Sequence, residues 1–242
     1  GKSMSQNQRW SVADDLDLKM VIGGQRVEAS NGARIETEDP ATGRIIGSFP
    51  AATADDVDRA VASSKAALKG DWRTMTPTAR GRILARAAGI LRREAERMAR
   101  IETLDSGKPL REARADMETS ASYLEYYAGF ADKLQGDSIP LGPDYMSFTL
   151  HEPVGVTAQI IPWNFPLTTT ARGVAPALAA GCTAVVKPAA LTSLTSLLMA
   201  DILDEAGPPP GVYNSVPGTG SGAGAAPGRH PHIAHITLTM CF

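Results

Sequence analysis

The 242-residue sequence predicts an α/β fold: an incomplete Rossmann-like parallel sheet with flanking helices, preceded by N-terminal hairpins and long helices. Two observations carry this. From about residue 145 onward, short continuous apolar runs such as "TAVVK" and "IAHITLT" alternate with helical stretches. That is the pattern of strands buried on both faces. Before residue 145, two apolar runs punctuated by Gly and Pro are followed by three stretches with helical spacing.

In order, residues 1 to about 19 are mostly polar, and 1–20 are set apart as the N-terminal segment. Gly1, Lys2 and Ser3 ahead of Met4 read as a tag remnant, and the rest of the stretch as a loosely held, flexible N-terminus. "KMVIGGQRVEA" is a hairpin signal around Gly23-Gly24, and "ARIETEDPATGRIIGSFPAA" repeats it with a turn at Pro40 to Gly43. Thr53 suits an N-cap for "ADDVDRAVASSKAALKG", which closes at Gly70. Thr76-Pro77 opens a second helix ending near Gly107, and "REARADMETSASYLEYYAGFADKLQG" is a third, ending at Gly136. The expected division is therefore 21–144 for hairpins and helices, 145–155 for extended strands, and 156–242 for the parallel sheet. In the last part, a strand into "IIPW" leads to a helix over 166–180. "TAVVK" precedes a helix over 193–206, and "GVYNSVP" and "IAHITLT" are strands, the last expected to be buried.

A formal net charge of −2 gives no basic footprint, so neither nucleic acid nor an anionic membrane is expected as a partner. The longest uncharged stretch is interrupted by Pro162 and Pro166, unlike the ~20 apolar residues of a membrane span. Two cysteines, Cys182 and Cys241, make no disulfide framework. With no charged-then-apolar leader pattern, a cytoplasmic location is expected.

Three stretches could carry chemistry. "GTGSGA", from Gly218, fits G-x-G-x-x-[GA] after a strand. Overlapping matches in so Gly/Ala-rich a segment make a flexible loop the favoured reading of the motif alone. Lys187 ends an apolar strand where ligands of parallel sheets sit, and could serve ribose hydroxyls or phosphate; a solvated strand-end lysine is the commoner outcome. "IIPWNFPL" brackets Trp163-Asn164-Phe165 with two prolines, a stiff aromatic turn at a strand end. The Asn164 amide is a neutral donor suited to an oxyanion, or simply a good turn former. His230, His232 and His235 read as a polar turn, Cys182 as a small packed residue, and Cys241 is not expected to be a nucleophile.

Taken together and in this order, "DPATGRIIG", "LDSGKPLREA", "IIPWNFPL", "GCTAVVKPAALTSLTSLLMADILDEAG", "PPGVYNSVPGTGSGAGAA" and "HPHIAHITLT" resemble the aldehyde dehydrogenase superfamily, over about Val21 to Thr239. The resemblance implies oxidation of an aldehyde to a carboxylic acid with NAD or NADP. In that scheme a cysteine forms a thiohemiacetal, hydride passes to the nicotinamide, and a glutamate-activated water releases the acid. Asn164 then matches the amide donor to the thiohemiacetal oxygen. Ile160, Ile161, Pro162 and Trp163 match residues lining the cofactor, and Lys187 matches the lysine on the adenosine ribose. Ala189 and Ala190 follow it, Gly220 and Gly224 match the adenine-side loop and helix, and Thr239 ends the strand facing the pyrophosphate. Thr37, Glu38 and Asp105 match a monovalent-cation site of some members. Residues 145–155 match part of antiparallel oligomerisation strands, implying a homo-oligomer.

Two departures bear on function. Ala190 stands where many NAD-using members carry a glutamate ("KPxE" against "KPAA"), which leaves both NAD and NADP open. After "ITLT" the family's "GST" gives way to Met240-Cys241-Phe242, and neither an "ELGGK"-type nor a "GQxC"-type motif occurs. The expectation is an N-terminal portion without the catalytic domain, inactive alone. The alternatives are a non-catalytic nucleotide-binding or assembly module and, further off, a coenzyme-A-acylating relative.

Overall fold

The structure, a computed structural model, describes residues 16–220, 223 and 225–239. Gly224 and Cys241 lie outside the described residues.

The first elements are strands: β1 (Leu16–Asp17), β2 (Met20–Ile22), β3 (Gln25–Val27), β4 (Arg34–Asp39) and β5 (Arg44–Pro50). β2 and β3 form the predicted hairpin, with Gly23 and Gly24 at φ 61° and 76°, the geometry that a two-residue primed turn requires. β4 and β5 form the second. One expectation is corrected here. Leu16, assigned to a flexible N-terminus, is buried, and β1 pairs in parallel with β5. Leu16 lies in the register itself, opposite Gly47, and its buried side chain ties the segment down despite its polar surroundings.

Helix α1 (Ala54–Ala67) starts at a capping box, in which Thr53 accepts from the Asp56 N–H and Asp56 accepts from the Thr53 N–H. A short α2 (Asp71–Thr74), not anticipated from the sequence, buries Trp72, whose indole N–H donates to the Gly181 and Cys182 carbonyls. α3 (Pro77–Ser106) has Thr76 as N-cap and ends at Gly107 as read. α4 (Leu110–Phe130) stops six residues before Gly136 and passes through a 3-10 turn at Ala131–Lys133. The reason is that the next residues pair elsewhere: the Thr149 N–H donates to the Asp137 carbonyl. They open a small antiparallel arm, β6 (Ser138–Ile139) with β7 (Ser147–Phe148).

The core sheet follows: β8 (Val156–Ile160), α5 (Pro166–Ala179), β9 (Thr183–Lys187), α6 (Leu194–Ala206), β10 (Tyr213–Ser215), α7 (Ala225–Arg229) and β11 (Ile233–Leu238). Its order is β11-β8-β9-β10-β2-β3. β11, β8, β9 and β10 run parallel, and the β2–β3 hairpin is added antiparallel at one edge. That addition was not foreseen. Asn214 of β10 secures it: its amide oxygen accepts from the Gly23 N–H, while its NH2 reaches Ser64 of α1.

Alternation along β9 places Ala184 and Val186 in one apolar cluster with α3, α5 and α6, and Val185 in a second with α1. The sheet is thus covered on both faces. β11, expected to be buried, is mostly exposed, with Ile236 and Leu238 open to solvent. It is the edge strand and has one neighbour, so its apolar composition does not translate into burial. No helix among the described residues is long and apolar enough to cross a membrane.

Candidate cofactor and oxyanion site

Chain order and sheet order together locate the site. From β8 the chain moves through α5 to β9 and on to β10, then crosses back to place β11 on the other side of β8. The reversal falls between β8 and β11, and ligands of open parallel sheets sit beyond the strand ends at such a point. "IPWNFP" leaves β8 there. Ile160 pairs with Lys187 of β9 and Leu238 of β11. The Ile161 N–H donates to the Lys187 carbonyl at 3.0 Å, and the Thr239 N–H reaches the Ile160 carbonyl at 3.4 Å. Ile160, Ile161, Pro162, Lys187 and Thr239 are therefore brought together at the carboxyl ends of the strands, with Ala189 and Ala190 in the turn that follows Lys187.

The turn itself is held from outside. Thr192 donates to the Trp163 carbonyl at 2.8 Å, and the Trp163 ring is half exposed. The Asn164 side-chain oxygen is buried and has no partner among the described residues. An unsatisfied buried polar atom costs ~1–3 kcal/mol, and in a native site its presence asks for a cause.

Lys187 poses the same question with a full charge. Its side chain is buried, no acceptor for its ammonium occurs among the described residues, and burial alone pushes its pKa down. Residues 189 and 190, both alanine, offer no carboxylate. An uncompensated cation at the mouth of a parallel sheet fits an anionic or hydroxyl-rich ligand, and an adenosine ribose with its phosphate is such a group.

Gly220 is exposed in the segment leading to α7. Thr37 and Asp105 do meet. Thr37 donates to one Asp105 oxygen at 2.7 Å, and the Leu194 N–H donates to the other at 3.0 Å, so the carboxylate caps α6. Glu38 points to solvent, and among the described residues no three His, Cys, Asp or Glu side chains are placed to hold a metal ion. Burial raises the Asp105 carboxyl to about 6.

The sequence reading missed Thr192 and Lys108. Lys108, in the bend after α3, donates to Glu102 at 2.9 Å and to Asp116 at 2.6 Å, and its ammonium lies 4.8 Å from the Phe165 ring centre. No local signal marks a contact between residues 57 positions apart.

Comparison with known proteins places the chain in a family. Residues 27–240 match the model of the aldehyde dehydrogenase family, and the chain belongs to that family. An aldehyde dehydrogenase of Aspergillus niger is 42% identical over 228 residues, covering 94% of this chain and 46% of its own length. A hydroxyisobutyraldehyde dehydrogenase of Mycolicibacterium austroafricanum is 46% identical over 220 residues, covering 91% and 44%. The NAD+ complex of an aldehyde dehydrogenase from Bacillus cereus superposes with TM-score 0.90 at 38% identity, covering 97% of this chain and 48% of that one. The chain thus spans a little under half the length of the relatives it matches.

Proposed function

We propose that these residues are the part of an NAD(P)-dependent aldehyde dehydrogenase that holds the adenosine end of the dinucleotide and supplies the oxyanion amide. The observation that carries this reading is the convergence, at one switch point, of a largely buried Lys187 with no acidic partner among the described residues and the proline-bracketed Asn164, whose NH2 would be the oxyanion donor while its buried side-chain oxygen has no partner there. Lys187 would meet the ribose hydroxyls or phosphate, the Ile160–Trp163 backbone and rings would line the cofactor, and Asn164 would face the reacting oxygen. When bound, the dinucleotide supplies the hydride acceptor.

Ala190 leaves the ribose pocket without a carboxylate. A charged acceptor's hydrogen bond is worth about 1.5–3 kcal/mol, so its absence weakens NAD+ and removes repulsion against a 2′-phosphate. NADP+ is therefore expected to bind at least as tightly as NAD+. Titration of the 242-residue chain with each dinucleotide by calorimetry tests the reading; a folded chain that binds neither contradicts it.

Turnover is a separate matter. Cys182, the cysteine among the described residues, is buried at the start of β9, and no "GQxC"-type or "ELGGK"-type stretch is present. These 242 residues alone are expected to produce no reduced cofactor from an aldehyde. A second reading, an assembly module, is favoured by one observation: Leu141, Tyr145, Met146, Phe148 and Leu150 are all exposed on the arm, the kind of apolar patch that marks an interface. The two readings are compatible in a homo-oligomer.

A further inference from the structure

The Asn164 turn is anchored on both sides, and the second anchor is a buried ion cluster. On the N-terminal side, Thr192 fixes the Trp163 carbonyl. On the C-terminal side, Phe165 has φ −135° and ψ 65°, and its carbonyl accepts from the Thr169 N–H at 3.0 Å, but it makes no side-chain cap bond to α5, so that part of a helix start's usual restraint is missing. The face of its ring meets the Lys108 ammonium at 4.8 Å. That ammonium is itself immobilised between Glu102 of α3 and Asp116 of α4, and the second Glu102 oxygen accepts from Thr195 of α6 at 2.8 Å. Burial opposes the Lys108 charge, but the two carboxylates outweigh it and hold its pKa above the ordinary lysine value.

We propose that Lys108 is a positioning residue for Asn164, acting through the face of Phe165; this rests on the reading of Asn164 as the oxyanion donor. A cation over an aromatic face is attractive, and more so where water is excluded. Here the Lys108 side chain is 13% exposed, while the Phe165 ring is half exposed, so the contact is shielded on the lysine side. Three helices thereby fix one ring, and the ring with Thr192 fixes the amide between them. Ion pairing of α3 to α4 alone would need no ring, and neither Trp163 nor Asn164 would respond to it.

Fluorine NMR of the chain labelled with 5-fluorotryptophan separates the two. Trp163 is assigned by Trp163→Phe, and buried Trp72 reports on the fold. Lys108→Met is expected to shift or split the Trp163 line while leaving Trp72 in place, and Lys108→Arg to restore most of the wild-type position. Should Lys108→Met not fold, Phe165→Leu, which leaves the ion cluster paired, is expected to move the same line. Dinucleotide affinity should fall roughly three- to tenfold in Lys108→Met or Phe165→Leu. A Trp163 line unmoved in the folded variants overturns the proposal. Failure of the wild-type chain to bind either dinucleotide counts against the site reading instead, because the fluorine shifts are read without ligand.

Discussion

Asp105 shows how one side chain can carry two physical roles. It caps α6 through the Leu194 N–H and ties β4 to α3 through Thr37, yet burial raises its carboxyl from 3.8 to about 6. A raised acid favours the protonated folded state. Its contribution to stability is therefore full below about pH 4, falls as pH rises to about 6, and is constant above. The stability of wild type relative to Asp105→Asn should drop by on the order of 2–3 kcal/mol across that window, as read from urea unfolding at several pH values. A difference that rises with pH contradicts this. Residue chemistry at the switch point was partly legible: proline spacing and strand position singled out Asn164 and Lys187 as candidates, and the family resemblance supplied their expected roles. The unpartnered Asn164 oxygen and the missing acidic partner of Lys187 were not, since they depend on what other elements fail to bring near.

Elements with local signals were read well, because caps and turns are decided by neighbours in sequence. Thr53→Ala should cost about 1 kcal/mol and Thr53→Ser much less, measured by chemical denaturation. Gly211 illustrates what local reading cannot supply. It sits at φ 86°, and a Cβ there would lie 2.7 Å from the Ser63 carbonyl oxygen. Gly43, at φ 68°, faces open space. Gly211→Ala should therefore destabilise by more than the ~1–2 kcal/mol of backbone strain expected for Gly43→Ala; equal losses would refute the close-approach argument. The short α2 escaped notice because its four residues have no periodicity, and its reason to exist, Trp72 under Gly181, is tertiary. The β2–β3 hairpin was recognised but not its place in the core sheet, which Asn214 and Arg26 secure from far along the chain. Arg26 does so by pairing with Asp201 and Asp204 of α6.

At the scale of the whole molecule, the α/β class and the parallel order followed from continuous apolar strands, whereas the exposure of β11 followed only from its place at the sheet edge. The exposed arm makes association concentration-dependent by expectation. Sedimentation should show self-association that Phe148→Asp reduces; a strictly monomeric wild-type chain argues against the arm as an interface. The central claim concerns the switch point between β8 and β11. Calorimetric titration of the 242-residue chain and of Lys187→Ala with NADP+ and NAD+ tests it most directly. The account predicts binding of NADP+ at least as tight as NAD+, weakened about tenfold or more by Lys187→Ala. Absence of binding to a folded wild-type chain, or affinity untouched by Lys187→Ala, would contradict it.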